Sequence, residues 1–283
     1  MNIDQLRTGL TDLSDLMDRR IDGVHTAATK AQSLIYESLL AEIQRFELVQ
    51  GSFVQGQDFA ARFALIDKRI KSIINKVYIP DVTKYLNEYK TIEQTTIGLH
   101  KSYNELVIDK EKLTPAKRAV YDQAEYYLTD ALADAYVQPA KYLLMQQVAT
   151  GASIKQAQSL LKNWNDGELT SGKLTSGRPT PRLQAYSLQI ARDSMYQYNG
   201  VLNDIIGKEY GLTKFIYVGD IIADSRPFCR HLVGLKRKID IKEVPKLLET
   251  YPEGTIPNTT MKNFPIYRGG FSCRHSMMWV KGN

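Results

Sequence analysis

The chain has 283 residues, 43% hydrophobic and 24% charged, with a formal net charge of +6. That length buries a sizeable core and suits two structural regions, and the balance is that of an ordinary soluble protein. No apolar run approaches the roughly eighteen residues of a membrane span, and Met1-Asn2-Ile3-Asp4 lacks the basic and apolar blocks of a signal peptide, so cytoplasmic synthesis is expected.

From the N-terminus, Ile3, Leu6, Leu10, Leu13 and Met17 recur at steps of three and four, followed by Val24, Ala28, Ala31 and Leu34 after the pattern loosens at Arg20. Residues so spaced share one helix face, which predicts an amphipathic helix or short coiled coil. Asp4, Asp12, Asp15, Asp18 and Asp22 lie on or beside the polar face, where they solvate it or offer a docking surface to a basic partner. Phe59, Phe63, Ile66, Ile70 and Ile73 predict a second helix over residues 58–77, with Pro80 marking a restart. A third helix runs from Asp81 through the nineties to Leu106.

Thr114-Pro115 predicts the next start, with Thr114 as N-cap and Pro115 in the first helical position, where its missing N–H costs nothing. That helix extends through Tyr121, Tyr127, Leu132 and Tyr136 until Pro139 interrupts or bends it. Another follows from Ser153 to Trp164, so the first 165 residues read as almost wholly helical. Most of the seventeen tyrosines fall on helix faces beside Leu and Ile, which suits core edges better than a base-stacking platform.

Between 167 and 182 a unit of Leu-Thr-Ser-Gly followed by Lys173 or Arg178 occurs twice, then Pro179, Pro181 and Arg182. These turn formers predict a flexible basic connector, whose Lys173, Arg178 and Arg182 can meet a phosphate backbone or an acidic protein. No Walker-type phosphate loop is present. Residues 183–210 then read as a long helix ended by Gly211. Charge divides near the same place: residues 1–169 carry 20 basic against 22 acidic side chains, residues 170–283 carry 17 against 9. Such a surplus attracts DNA or an acidic protein face without choosing between them.

The most informative stretch is 220–280. The chain has two cysteines and four histidines, and both cysteines and half the histidines fall in two copies of one tripeptide, Cys229-Arg230-His231 and Cys273-Arg274-His275. Lys214 to Val218 is a β-branched and aromatic run that predicts a strand, and Ser276 to Val280 predicts a closing one. Pro227 argues against helix through Arg226, so the first triplet is expected on an extended or turn backbone. Residues i and i+2 of an extended chain point the same way. Cys229, His231, Cys273 and His275 then supply a Cys₂His₂ zinc set. The same residues admit a Cys229–Cys273 disulfide, a plain packing role, or an activated thiol.

A helix ending near Gly211, a strand over 215–218, Asp224-x-Arg226-Pro227 with Cys229, His231 and Gly234, a variable loop, then Gly270-Phe271-Ser272-Cys273-Arg274-His275: this order resembles the C-terminal domain of the Mu F-like phage head-morphogenesis proteins, minor head proteins of tailed bacteriophages. In that family an Asp-x-x-Arg-Pro-like turn carries His or Cys, and a Gly-Phe-Asn-Cys-Arg-Cys/His segment closes the domain. Here the Asp–Arg spacing is one residue tighter, and Ser272 stands where Asn is usual. The resemblance covers residues 182–280.

Pattern and resemblance together give an α+β chain: a helical docking or assembly region over 1–166, the connector over 167–182, and an α+β domain over 183–283 with its long helix packed on a small sheet. The resemblance further implies that Arg192 on that helix pairs with Asp220 or Asp224. It implies a protein without a chemical step, acting in the host cytoplasm during assembly and then in the phage head, beside the portal, major capsid or scaffolding protein. Arg226, Arg230, Arg274, Lys236, Arg237 and Lys238 are the expected contacts with double-stranded DNA or a partner, and no cofactor is expected beyond the zinc. The competing class is a metal-assisted or thiol-dependent nuclease or hydrolase built on the two triplets. Against it stand a shortage of acids near the triplets and the absence of a His-Glu-x-x-His, a Gly-x-Ser-x-Gly or a defensible paired-carboxylate arrangement.

Overall fold

The apolar repeat of the N-terminal segment does not stop at Arg20. Helix α1 (Ile3–Ile43) is continuous over 41 residues, and Leu6, Leu10, Leu13, Met17, Ile21, Val24, Ala28, Ala31, Ile35, Leu39 and Ile43 form its buried stripe. Asn2 and Gln5 cap its start reciprocally, each side chain accepting from the other's backbone N–H at 2.9 Å. The computed structural model describes residues 1–46, 48–54, 59–132, 136–166, 183–252, 255, 259–270 and 273–282. The connector with Lys173, Arg178 and Arg182 lies outside the described residues, as do Phe271, Ser272 and the side chain of Phe59.

Pro80 does not restart a helix. Helix α2 (Phe59–Ile73) passes through one π turn, Ile74–Tyr78, directly into α3 (Ile79–Asn104). A proline inside a regular helix clashes with the carbonyl four residues back, and a wider turn relieves that clash without ending the rod. Thr114 is also not an N-cap. A 3₁₀ turn, Glu111–Leu113, already leads into α4 (Thr114–Leu128), and the Asp109 carboxylate accepts from the N–H of Glu111 at 3.0 Å.

After the short α5 (Asp130–Leu132), Pro139 opens α6 (Gln138–Ala149). Helix α7 (Ile154–Asn165) starts at Ser153 with a full capping box to Gln156, as the sequence suggests. A two-residue hairpin, β1 (Leu48–Val49) and β2 (Ser52–Phe53), interrupts the helical region. Its turn residues Gln50 and Gly51 both have positive φ, the backbone a tight hairpin needs.

Helix α8 (Leu183–Glu209) ends at Gly211, whose φ of 59° lets Leu212 N–H reach back to the Gly207 carbonyl. The chain then enters β3 (Lys214–Val218), the centre of a three-stranded antiparallel sheet, flanked by β4 (Ile239–Asp240) and β5 (Ser276–Val280). Helices α9 (Pro227–Gly234), α10 (Val244–Thr250) and α11 (Phe264–Tyr267) lie between these strands in sequence. Period-two alternation sends Phe215 and Tyr217 of β3 and Met277 and Trp279 of β5 into one core with Phe228, Cys229, Phe264 and Cys273. Helix α8 packs tightly on this sheet: a side chain at Gly207 would stand 2.3 Å from the Trp279 ring.

A buried polar chain fixes the far end of β5. Thr96 accepts from Asn199, and Asn203 donates to the Asn199 carbonyl and shares a 2.9 Å bond with His100 Nε2. His100 Nδ1 lies 3.0 Å from Asn104 Nδ2, which also donates to the Trp279 carbonyl, while Asn104 Oδ1 accepts from Lys281 N–H. With Nδ1 as acceptor, Nε2 carries the proton and donates to Asn203 Oδ1. Burial holds the His100 imidazole neutral, with its pKa down at about 4.

The chain divides into two compact units that do not follow sequence order. One comprises Met1–Asp22, Tyr85–Glu125 and Gln189–Asn283; the other comprises Gly23–Lys84 and Tyr126–Leu188. The division expected at 166 and 183 is therefore not where the compact units part, because α1, α3 and α8 each contribute residues to both. Among the described residues, no helix is long and apolar enough to cross a membrane.

Candidate metal centre and arginine-lined cavity

The two Cys-Arg-His triplets adopt different backbones. Arg226 is extended (φ −64°, ψ 148°), as the residue before a proline must be, and Pro227 occupies the first turn of α9. The first triplet is thus helical, which corrects the extended reading: the proline restricts the residue before it and starts the helix after it. Successive helix positions turn by about 100°, so Cys229 and His231 face different ways. Cys229 is buried, whereas His231 is half-buried with its ring 5.4 Å from that of Tyr251. Exposed Arg230 points to neither, and donates to the carbonyls of Ile222, Ala223 and Ser225, tying down the loop before the helix.

The second triplet is extended up to β5, so Cys273 and His275 do point the same way. Their Sγ and Nδ1 atoms are 3.6 Å apart. Cys229 joins them, the ligand atoms of Cys229, Cys273 and His275 all lying within 4.8 Å of one another. The expected Cys₂His₂ set becomes Cys₂His, with His231 outside it. Both thiols are free, so the Cys229–Cys273 disulfide is not formed.

Buried Gly269 makes room for the sulfurs: a Cβ there would stand 2.3 Å from Cys229 Sγ and 3.0 Å from Cys273 Sγ. Tyr217, on the core face of β3, brings its hydroxyl to 3.5 Å from Cys229 Sγ and 3.6 Å from Cys273 Sγ. Its ring stacks on that of His275 at 5.5 Å. Burial, reinforced by the neighbouring thiols, keeps the Tyr217 proton in place far above the ordinary tyrosine range. The two thiols are coupled: their mutual hydrogen bond and burial push Cys229 up, while the same hydrogen bond, opposed by burial and aided by His275 and Arg268, pulls Cys273 down.

Arg268 combines three costly features beside Cys273. Its φ is 48°, it is only 2% exposed, and its Nε and Nη1 have no hydrogen-bond partner. Its guanidinium carbon lies 5.6 Å from the centre of the Tyr196 ring. Strain and orphaned charge of this kind concentrate where a site demands them.

A cavity of about 260 Å³ opens against the three ligand residues, lined also by Arg192, Arg226, Arg274, Asp220, Asp224 and Ser225. Arg192 is buried with its Nε unpartnered. No ion pair joins it to Asp220 or Asp224, which are exposed. Desolvation and Arg274 instead depress its pKa, and the main opposing charge is Asp18 of α1. Asp18 in turn is raised by burial, opposed by Arg274, by a 3.2 Å hydrogen bond from Tyr196 and by Arg192. The carboxylate expected near Arg192 therefore comes from the first helix, not from the loop after β3.

Of the basic 236–238 cluster, Arg237 makes a two-pronged pair with Glu243, and Lys238 donates to the Lys281 carbonyl. Lys236 is exposed at positive φ, just after the exposed Gly234 that ends α9. Gly270, at φ 85°, completes the turn before Cys273. Tyr217, Arg268 and Asp18 are the site residues that sequence reasoning missed. Tyr217 carried a signal, a hydroxyl one strand step from core Phe215; Asp18 had nothing to separate it from four other aspartates. No family model, curated protein or solved structure matches the chain.

Proposed function

We propose that this chain is a minor head protein of a tailed bacteriophage or prophage, which associates with the portal, major capsid or scaffolding protein and assists head assembly, DNA packaging or genome delivery. The observation that carries the reading is the ordered set of residues from Gly211 to Val280 behind the Mu F-like resemblance. Supporting it, β3, α9, β5 and the part of α8 from Gln189 onward occupy one compact unit, and Cys229 and Cys273 share its core. The protein acts by surface recognition, in the host cytoplasm during assembly and then in the head. Arg230 and Arg237 are engaged within the chain, so contact with DNA or an acidic partner falls mainly to Lys236 and to Lys173, Arg178 and Arg182 of the connector. DNA contact of this kind weakens steeply with salt. The test is to follow the tagged chain through phage production on a density gradient. Co-sedimentation with procapsids or heads is expected. Heads that assemble normally while the chain stays in the free soluble fraction would overturn the reading.

A second reading, a metal-assisted or thiol-dependent nuclease or hydrolase, draws on the cavity where Arg192, Arg226 and Arg274 stand beside two thiols and a histidine. Arginines there would hold a phosphate while a bound metal or thiolate acted on it. Turnover of DNA, RNA or a phosphodiester ester that disappears in Cys273→Ser would establish it; no turnover with zinc supplied rejects it.

A further inference from the structure

We propose that Cys229, Cys273 and His275 hold one zinc ion through three protein ligands, leaving a fourth coordination position open to the arginine-lined cavity. The inference is independent of where the protein acts. Zinc bonds of about 2.3 Å to sulfur and 2.0–2.1 Å to nitrogen, set tetrahedrally, separate the ligand atoms by about 3.6 Å (S to N) and 3.8 Å (S to S). Cys273 Sγ and His275 Nδ1 already stand 3.6 Å apart, and Cys229 Sγ lies within 4.8 Å of both. Two thiolates and an imidazole form a borderline-soft donor set that favours zinc over magnesium or calcium. On binding, each cysteine gives its proton to solvent, and the two negative charges balance the ion.

Tyr217, Arg268 and Gly269 suit a metal centre, while buried His275 Nε2 has no hydrogen-bond partner of its own. Tyr217 can donate its hydroxyl to a thiolate, lying 3.5 and 3.6 Å from the two sulfurs, and its stacked ring fixes the plane of the imidazole. Buried Arg268 stands beside Cys273, where its positive charge offsets that of a thiolate. Gly269 leaves the space that the sulfurs use. Among the described residues no fourth Cys, His, Asp or Glu joins the cluster, while all three members line the cavity. Three protein ligands with one open position is the arrangement through which zinc takes water or an outside anion, as opposed to the closed four-ligand arrangement of a purely structural site. The unpartnered Nε of buried Arg192, on the same cavity wall, favours an anion.

Elemental analysis of the full chain, purified under reducing conditions from zinc-supplemented medium, is expected to give one zinc per chain. The cobalt-exchanged protein should show thiolate-to-cobalt charge transfer at one equivalent. Cys229→Ser and Cys273→Ser each abolish that band, His275→Gln weakens binding by at least tenfold, and His231→Gln leaves it unchanged. If the cysteine variants do not fold, the wild-type cobalt titration decides alone. Folded wild type with neither zinc nor a charge-transfer band overturns the site, and loss of metal in His231→Gln overturns the ligand set. Inorganic phosphate added to the cobalt form should alter its visible bands; an unchanged spectrum at saturating phosphate overturns the open position.

Discussion

One tripeptide occurs twice in this chain and serves two geometries. In Cys229-Arg230-His231 the helix of α9 turns only the cysteine toward the centre, and the arginine and histidine are spent on the loop and on Tyr251. In Cys273-Arg274-His275 the extended backbone sends cysteine and histidine together to the same point, with Arg274 left on the cavity wall. Side-chain chemistry alone therefore does not define a ligand set; the rotation per residue of the backbone beneath it does.

The largest effect should come from loosening the helical copy. Phe228 holds α9 against Phe264 and Tyr251 by edge contacts at 5.8 and 6.4 Å and is fully buried. Phe228→Ala is expected to cost about 3–5 kcal/mol in chemical denaturation. A cost under about 1 kcal/mol would mean that α9 is positioned by something else.

The strand that follows the extended copy is held at its far end by Asn104, which bonds His100, and acid should loosen it. His100 titrates near 4 in the folded chain and near 6.5 unfolded. Its contribution is complete above about pH 6.5; below that the unfolded state takes up the proton first, and stability falls until about pH 4, by about 2–3 kcal/mol. Equilibrium unfolding across pH 7 to 5 checks this, above the range where carboxylates dominate. His100→Gln should be less stable at pH 7 but lose the slope, and a slope that survives would assign it elsewhere.

Two glycines sharpen the contrast further. Gly269→Ala drives a methyl into both sulfurs and should cost about 1–3 kcal/mol, whereas Gly234→Ala, at the open end of α9 with nothing within 4 Å, should be neutral or slightly stabilising. Equal effects would show that the sulfurs are not confined as described. The smallest effect belongs to the Arg237–Glu243 pair. Arg237 holds the Glu243 carboxyl at about 2, so its contribution is present above about pH 4.5 and lost as pH falls toward 2. Both side chains are 40% or more exposed, so solvent screens the pair. Glu243→Gln should then cost under about 1 kcal/mol at pH 7 in moderate salt.

Much of this architecture is legible in the sequence where local rules act alone. Ser153, Gly211 and the bounds of β5 follow from capping, positive φ and alternation, each a matter of a few neighbouring residues. Where two local rules meet, the reading divides. Pro227 forbids helix behind it and favours helix ahead of it, and only the packing of Phe228 against Phe264 shows which mattered for Cys229. Pro80 is absorbed by a π turn whose Tyr78 is buried and hydrogen-bonded to Ser187, a partner 109 residues away. Asp18 reaches the cavity's arginines through a fold in which residues 1–22 and 189–283 share a unit, a relation that no spacing encodes.

That discontinuous unit has a consequence for how the protein is made. During synthesis, Gly23–Lys84 and Tyr126–Leu188 have all left the ribosome by residue 188 plus the length of the exit tunnel, so their unit can fold while translation continues. The other unit cannot close until β5 emerges, because Ser276–Val280 pairs with β3 along its whole length. Until then Leu6, Leu10, Leu13 and Met17 belong to a unit that lacks its last strand, for as long as it takes to translate some 260 further residues. At about 5–20 residues per second that interval is tens of seconds.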